Sequence, residues 1–452
     1  MQNRFGCKNA TPWFVALATF FGLVFLVLTP PGQAPDEPAH VYRAWQVGHG
    51  ILYTGSSKAD VPDSLYQFLV SYIFLSFHAE QKVAASSIVK DVLHGEPINS
   101  DTRNGRIDAA IMLYSPILYV FSGLGMRIGE ELGLSAAASF YLARLCNLAA
   151  WITIISLGLC RLKTFNRELC FLALLPMSVF QGMSASGDAV SNALGFFMFC
   201  CIIEVLFSAK PEKKDFYIAA AAAVCVAFAK QVTMLPFLLV WFARKKYPLP
   251  GNFWRYFILT GVLVWVAASW VLLNPAPNSA LVDKKALVTL FFSSPYIPPK
   301  LLYESIVHHG EEWLLGYIGI FGWLDCHMPQ WAYLLYQGCL VALFATQCRV
   351  PQPVSLGLRT GALGIVAVFS VIIMFSLFFT WPQIHQYVIE GVQGRYFIPM
   401  IPTLFIVCAC FPSGRFKKLF DMAERCVFPL LLLLTVAGLS IASRTLYQRY
   451  FF

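Results

Sequence analysis

The stretch Pro35-Asp36-Glu37-Pro38-Ala39-His40 places two carboxylates and an imidazole directly after an apolar run from Phe14 to Leu28. Prolines on either side of the acids keep this backbone extended or turning rather than helical. Ionisable groups at the mouth of an apolar helix are costly unless they pair, bind or react. Two carboxylates and an imidazole on a stiff backbone fit a catalytic corner, where one of the acids could do base work. A plainer reading has Asp36 capping a helix that begins near Pro38, with Glu37 in its first turn. His40 and Arg43 follow on the same expected helix and are candidates for positioning acceptor or donor.

Three further groups carry chemistry-bearing types. Met183-Ser184-Ala185-Ser186-Gly187-Asp188 breaks two apolar runs. It is either a tight turn with Asp188 as a cap, or a carboxylate sharing a membrane face with Asp36. In Gly322-Trp323-Leu324-Asp325-Cys326-His327, Asp325 and His327 can ligate a metal or relay a proton. An interfacial tryptophan before a polar turn explains the same residues, and two ligands fall short of a zinc or calcium set. His308-His309 with Glu311-Glu312 is of the same kind. Finally, Gly394-Arg395-Tyr396 brings an arginine to the entry of an apolar run. There it either snorkels or clamps a phosphate. Lys230 and Tyr396 join it as candidates for the phosphate side, and Asp36 with Asp188 are the acids available if a divalent cation takes part.

The elements that must position these residues are membrane helices. Of 452 residues, 58% are hydrophobic and only 13% charged, against about 25% charged in a soluble domain. Long apolar runs without period-two alternation indicate an all-α polytopic bundle, not a β-barrel. The expected spans are 13–29, 137–160, 168–186, 188–208, 216–229, 232–243, 254–273, 330–347, 360–380, 396–412 and 427–443, about 11 crossings (range 10–13). The whole chain, 1–452, reads as one integral-membrane domain.

Segment 111–129 carries Pro116, Arg127 and several glycines, and charge decides its treatment. If it lies along the membrane, the basic clusters at Arg4/Lys8, Arg161–Arg167, Lys210–Lys214, Arg244–Lys246, Arg349–Arg359 and Arg415–Lys418 share one side, as cytoplasmic loops should. The loops 30–136, 274–329 and 381–395 then lie outside, with Ser64–Phe77 and Trp313–Trp323 expected as amphipathic juxtamembrane helices. The net charge of +9 is a span-end signature, so no nucleic-acid partner is expected. The first apolar segment reads as a retained helix with its N-terminus cytoplasmic. The 13 cysteines show no paired CxxC spacing, and most lie in apolar runs, as small hydrophobes do. Absence of an internal repeat weighs mildly against a transporter.

Pro-Asp-Glu-Pro-Ala-His-x-x-Arg-Ala after the first span, Gly-Trp-Leu-Asp in a later loop and Gln-Gly-Arg-Tyr-Phe-Ile-Pro near the end resemble, in that order, a bacterial family of predicted membrane proteins assigned to the GT-C glycosyltransferase superfamily. The resemblance runs from about residue 30 to about residue 412. It implies a GT-C-like bundle in the bacterial inner membrane whose active site faces the periplasm or exterior. It also implies a polyprenyl-phosphate sugar donor and a glycan or lipid-linked acceptor. The essential carboxylate would be Asp36 or Glu37, the later acid Asp188, and the cation near the lipid phosphate Arg395 or Lys230. A divalent ion, magnesium or manganese, is left open. The expected reaction is an inverting single displacement, with Asp36 narrowly preferred as the base and Glu37 supporting acceptor or metal binding. The alternatives are a lipid-linked polysaccharide polymerase or ligase and, ranked lower, a flippase or transporter.

Overall fold

The computed structural model describes residues 10–452 apart from 53–57, 100–101, 107–110, 112–113, 209–211, 246–258, 260, 262, 264–283, 347–349, 351–352, 382–386 and 410–415. The first helix, α1 (Thr11–Leu28), is the charge-free apolar run, and it stops before Pro30-Pro31, where a helix cannot continue. The described part of segment 30–136 then contains α2 (Glu37–Gly48), α3 (Asp63–Val70), α4 (Ala85–His94) and α5 (Val120–Glu131). After it come α6 (Ala136–Arg161), two eight-residue helices α7 (Asn166–Ala173) and α8 (Pro176–Met183), α9 (Gly187–Phe207) and α10 (Lys213–Ala229). A 3₁₀ run covers Gln231–Lys245. The remainder comprises α11 (Lys284–Phe292), α12 (Ile297–Gly319), α13 (Gln330–Thr346), α14 (Leu356–Thr380), α15 (Leu404–Cys408) and α16 (Phe416–Tyr450).

Among the described residues, five helices are long and apolar enough to cross a membrane: α1, α6, α9, α14 and Phe428–Tyr450 within α16. This differs from the eleven expected spans in instructive ways. The run 168–186 is not one helix, because Pro176 starts a new one after a break at Leu174-Leu175. The run 232–243 is 3₁₀, and 396–412 is a chain of short pieces, Gly394–Phe397, Ile401–Thr403 and α15. The expected span 254–273 lies almost wholly outside the described residues. Segment 111–129 becomes a 3₁₀ turn at Pro116–Tyr119 and the 12-residue α5, roughly 18 Å long at the α-helical rise. That is well short of a hydrocarbon core of about 30 Å.

The glycines of α5 are there for packing. A Cβ on Gly123 would sit 2.7 Å from the Ala44 carbonyl oxygen, and one on Gly125 would sit 2.6 Å from the Ala143 Cα. The helix is thus wedged between α2 and α6, which ties segment 30–136 to the bundle.

Two antiparallel ladders qualify the all-α expectation. One pairs β1 (Lys58–Pro62) with β2 (Thr102–Arg106), and the other pairs β3 (Ile320–Phe321) with β4 (Cys326–His327). Trp313 lies in α12 rather than on a separate surface helix, and 320–327 forms the second hairpin.

The bundle has two chemically distinct ends. At one, the Ala10 amide donates to Asn166 Oδ1 at 2.6 Å, Arg161 pairs with Asp215 at 2.8 Å and Lys163 with Glu204 at 3.3 Å. At the other lie the end of α1, the start of α2, the turn before α9 and Lys230. The broken pair α7–α8 carries the chain from the first end to the second, and so does the 17-residue α10. The central helix is α9, with 89% of its apolar window inside the protein.

Candidate functional site

Asp36 occupies the left-handed region, with φ of 62° and ψ of 6°, immediately before α2. Aspartate tolerates this conformation better than most residues. Its side chain makes no capping hydrogen bond, so the capping expectation is not met. The carboxylate instead receives a hydrogen bond from Arg395 Nη2 at 3.1 Å and stays 35% exposed. Pro38 in the first turn of α2 fixes the start of that helix.

Arg395 arrives from the far end of the chain because Gly394 permits it. A Cβ at Gly394 would lie 2.0 Å from the Trp313 carbonyl oxygen and 2.3 Å from the Tyr317 nitrogen. Glycine alone lets the 3₁₀ turn lie against the backbone of α12. Arg395 is 5% exposed. Its Nε lies 3.9 Å from Asp188 Oδ2, beyond hydrogen-bond range, and has no hydrogen-bond partner among the described residues.

Asp188 sits in the first turn of α9, where the Ser186 hydroxyl accepts from its amide at 3.0 Å. Its other oxygen receives Lys230 Nζ at 2.5 Å. Lys230 ends α10 in an extended conformation, with its ammonium 5.4 Å from the Tyr114 ring centroid. Asp36, Asp188, Lys230 and Arg395 therefore form one cluster of two anions and two cations. Tyr396 borders it, its ring 5.4 Å from the Arg395 guanidinium carbon.

His40 is buried beside this cluster, hydrogen-bonded through Nδ1 to the Tyr119 hydroxyl at 2.8 Å. Burial pushes its pKa below the ordinary 6.5, and Arg395 and Lys230 add to that, although Asp188 and Asp36 pull the other way. The ring is accordingly neutral at physiological pH. Burial holds the Tyr119 phenol well above its ordinary value, so it stays protonated.

Other expected site residues lie elsewhere. Glu37 points away from Asp36 into a fully buried pair with Arg144, whose Nε and Nη2 donate to its two oxygens at 2.8 and 2.6 Å. A side chain so enclosed has no path to an acceptor, and the expectation of a second catalytic acid is corrected on that ground. Arg43 is buried and donates to the carbonyls of Ile51 and Leu52 at 2.9 and 2.6 Å, holding the chain just after α2. Asp325 pairs with Arg449 at 2.6 Å. That arginine also donates to the carbonyls of Leu75 and His78, so the Asp325–Arg449 pair anchors α16 to the chain between α3 and α4. His327 is exposed on β4. Neither Asp325 nor His327 contacts the charged cluster. His309 lies between Glu312 and Glu390, both at 3.3 Å, and steadies the loop leading to Gly394.

Among the described residues no group of three or more histidines, cysteines or acids is placed to hold a metal ion. Asp36 and Asp188, the acids considered for that role, are engaged by Arg395 and Lys230.

Sequence reasoning missed Tyr114, Tyr119, Arg144 and Asn147. The last two had a readable signal: an arginine and an asparagine three residues apart inside the apolar run of α6, where polar groups require partners.

Residues 19–404 match a family described as "Predicted membrane protein (DUF2142)", a stretch that includes every member of the charged cluster. No curated protein matches the chain.

Proposed function

This chain belongs to the predicted membrane protein family DUF2142, and from that premise we propose that it is a membrane glycosyltransferase working on the outer face of the bacterial inner membrane. The reading takes the bundle end that carries Asp36 as the outer end and the Arg161–Lys163 end as cytoplasmic, which the positive-inside bias favours. On this reading the short and broken elements α7–α8 and α10 supplement the five long helices as crossings, in a GT-C-like bundle. The donor is a sugar on a polyprenyl phosphate, and the acceptor is an envelope glycan or a lipid-linked saccharide.

The observation that carries it is the cluster itself. Four residues from four separate parts of the chain converge, a partly exposed carboxylate among them, and the buried Arg395 has an Nε–H with no hydrogen-bond partner among the described residues. An unsatisfied buried donor on a guanidinium costs free energy that an anionic ligand would recover. A phosphate seated on Arg395 and Lys230 would lie at the membrane end of the helices, where a lipid-borne headgroup must stay.

The chemistry balances without a covalent intermediate. Asp36 takes the proton from the acceptor hydroxyl as its oxygen bonds to the anomeric carbon. The bond from that carbon to the phosphate oxygen breaks, and its electron pair leaves on the phosphate. Arg395 and Lys230 stabilise the developing charge. One displacement inverts the anomeric centre. Neutral His40, fixed by Tyr119, borders the cluster without adding charge.

The test is the purified chain in proteoliposomes, supplied with isotope-labelled polyprenyl-phosphate sugars and envelope glycan fragments. Incorporation of label with inverted anomeric configuration is expected. Incorporation with retention would overturn the single displacement. No incorporation from any donor, with correctly folded protein, would overturn the glycosyltransferase reading.

A further inference from the structure

Arg144 uses every nitrogen of its guanidinium. Besides Glu37, its Nη1 donates to the carbonyl oxygens of Thr29 at 2.6 Å and Leu26 at 3.3 Å, and its Nη2 to that of Pro30 at 3.1 Å. Leu26 lies in the last turn of α1, Thr29 is its C-cap, and Pro30 follows, its carbonyl also accepting from the Gln33 amide at 3.2 Å. Glu37 in turn accepts from the Ala185 amide at 3.0 Å and the Ala34 amide at 3.4 Å. One turn further along α6, Asn147 Nδ2 donates to the carbonyls of Ser184 and Ser186, both at 2.9 Å. Residues three apart share a helix face. Both side chains are fully buried.

Two loops are thereby fixed from one face of one helix. The loop joining α1 to α2 ends on Asp36, and the turn joining α8 to α9 ends two residues before Asp188. Glu37 bridges them, since a single carboxylate is bound by Arg144 and by the Ala185 amide. We propose that Arg144 and Asn147 are positioning residues that set the separation of Asp36 and Asp188 around Arg395, with Glu37 as the strut between the two loops. The catalytic consequence rests on the reading given under Proposed function; the positional claim does not. An acid displaced by about 1 Å loses on the order of 10²-fold in rate.

The test uses the full chain purified in detergent and two variants. Asn147→Leu keeps volume and introduces no charge. Glu37→Gln combined with Arg144→Gln removes both charges together, which avoids stranding a buried ion. Hydrogen exchange followed by mass spectrometry is the first readout. Asn147→Leu is expected to accelerate exchange around 184–189 while leaving 34–40 as in the wild type, and the double variant to accelerate both segments. Unchanged exchange in these segments, or acceleration spread over the whole bundle, would overturn the positional claim. The second readout separates binding from turnover. Binding of decaprenyl phosphate should stay within about twofold, because Arg395 and Lys230 are untouched, while turnover in Asn147→Leu falls about 10- to 100-fold. Asn147→Gln, which retains the donor, should recover part of that loss. Wild-type turnover in Asn147→Leu would overturn the positioning role. A wild-type chain with no transfer activity but the expected exchange pattern would overturn the enzymatic reading alone.

Discussion

At the scale of single residues, the two adjacent acids have opposite fates, and their environments say why. Asp36 sits in a left-handed conformation with part of its carboxylate open, whereas Glu37 is sealed against Arg144. The sequence alone did not separate them, because one step at a helix start turns a side chain by about 100° and nothing local says which acid turns toward the core. Losing one partner of the buried pair should cost about 3–5 kcal/mol. Arg144→Met alone is therefore expected to lower the melting temperature far more than Asp36→Asn, as measured by thermal unfolding in detergent. Arg395 makes a different prediction. Lysine cannot reproduce a fork that holds Asp36 and offers a second N–H to an anion. Arg395→Lys should reduce transfer at least about 10-fold and weaken polyprenyl phosphate binding, since each lost charge-assisted hydrogen bond is worth about 1.5–3 kcal/mol.

His40 supplies a pH prediction. Its folded-state pKa lies below the ordinary value of 6.5 because it is buried. Below 6.5 the unfolded chain binds a proton that the folded chain does not, so this group's contribution to stability falls as pH falls through that window. Comparing melting temperatures at pH 7.5 and 5.5, wild type should lose more than His40→Gln.

At the scale of elements, the long apolar helices were legible because length and composition alone specify them. Thr11–Leu28, Ala136–Arg161, Gly187–Phe207 and Leu356–Thr380 lie within a few residues of the expected spans. The runs 168–186 and 396–412 were not legible as broken, since hydropathy averages over a proline that interrupts the hydrogen-bond ladder. The close approach at Gly394 was equally hidden, because its reason is the backbone of α12 far away in sequence. Gly394→Ala should push the turn off Trp313 and Tyr317 and carry Arg395 with it. We expect it to lower transfer on the order of 10²-fold. An alanine variant with wild-type activity would mean that the turn has room to shift without moving the arginine.

At the scale of the whole molecule, residues from three of the four sequence motifs come together in space: Asp36, Asp188 and Arg395 form one cluster, with Lys230 completing the charge balance. The fourth, Asp325 with His327, lies elsewhere, where Asp325 meets Arg449 and that arginine ties α16 to the chain between α3 and α4. Nothing in the local sequence announced that partner 124 residues away. The orientation rests on charge asymmetry, and thiol labelling in intact cells checks it. With Cys7, Cys160, Cys348, Cys408, Cys410 and Cys426 replaced by serine, a membrane-impermeant maleimide should modify His327→Cys at once and Lys163→Cys only after permeabilisation. The central claim is that the Asp36 end of the bundle transfers sugar from a lipid phosphate, and one comparison tests it most directly. In proteoliposomes carrying polyprenyl-phosphate sugar, Asp36→Asn preserves shape and removes the base. The account predicts that transfer falls by a factor of about 10² or more while the protein remains folded and still binds polyprenyl phosphate. Transfer at the wild-type rate would contradict it.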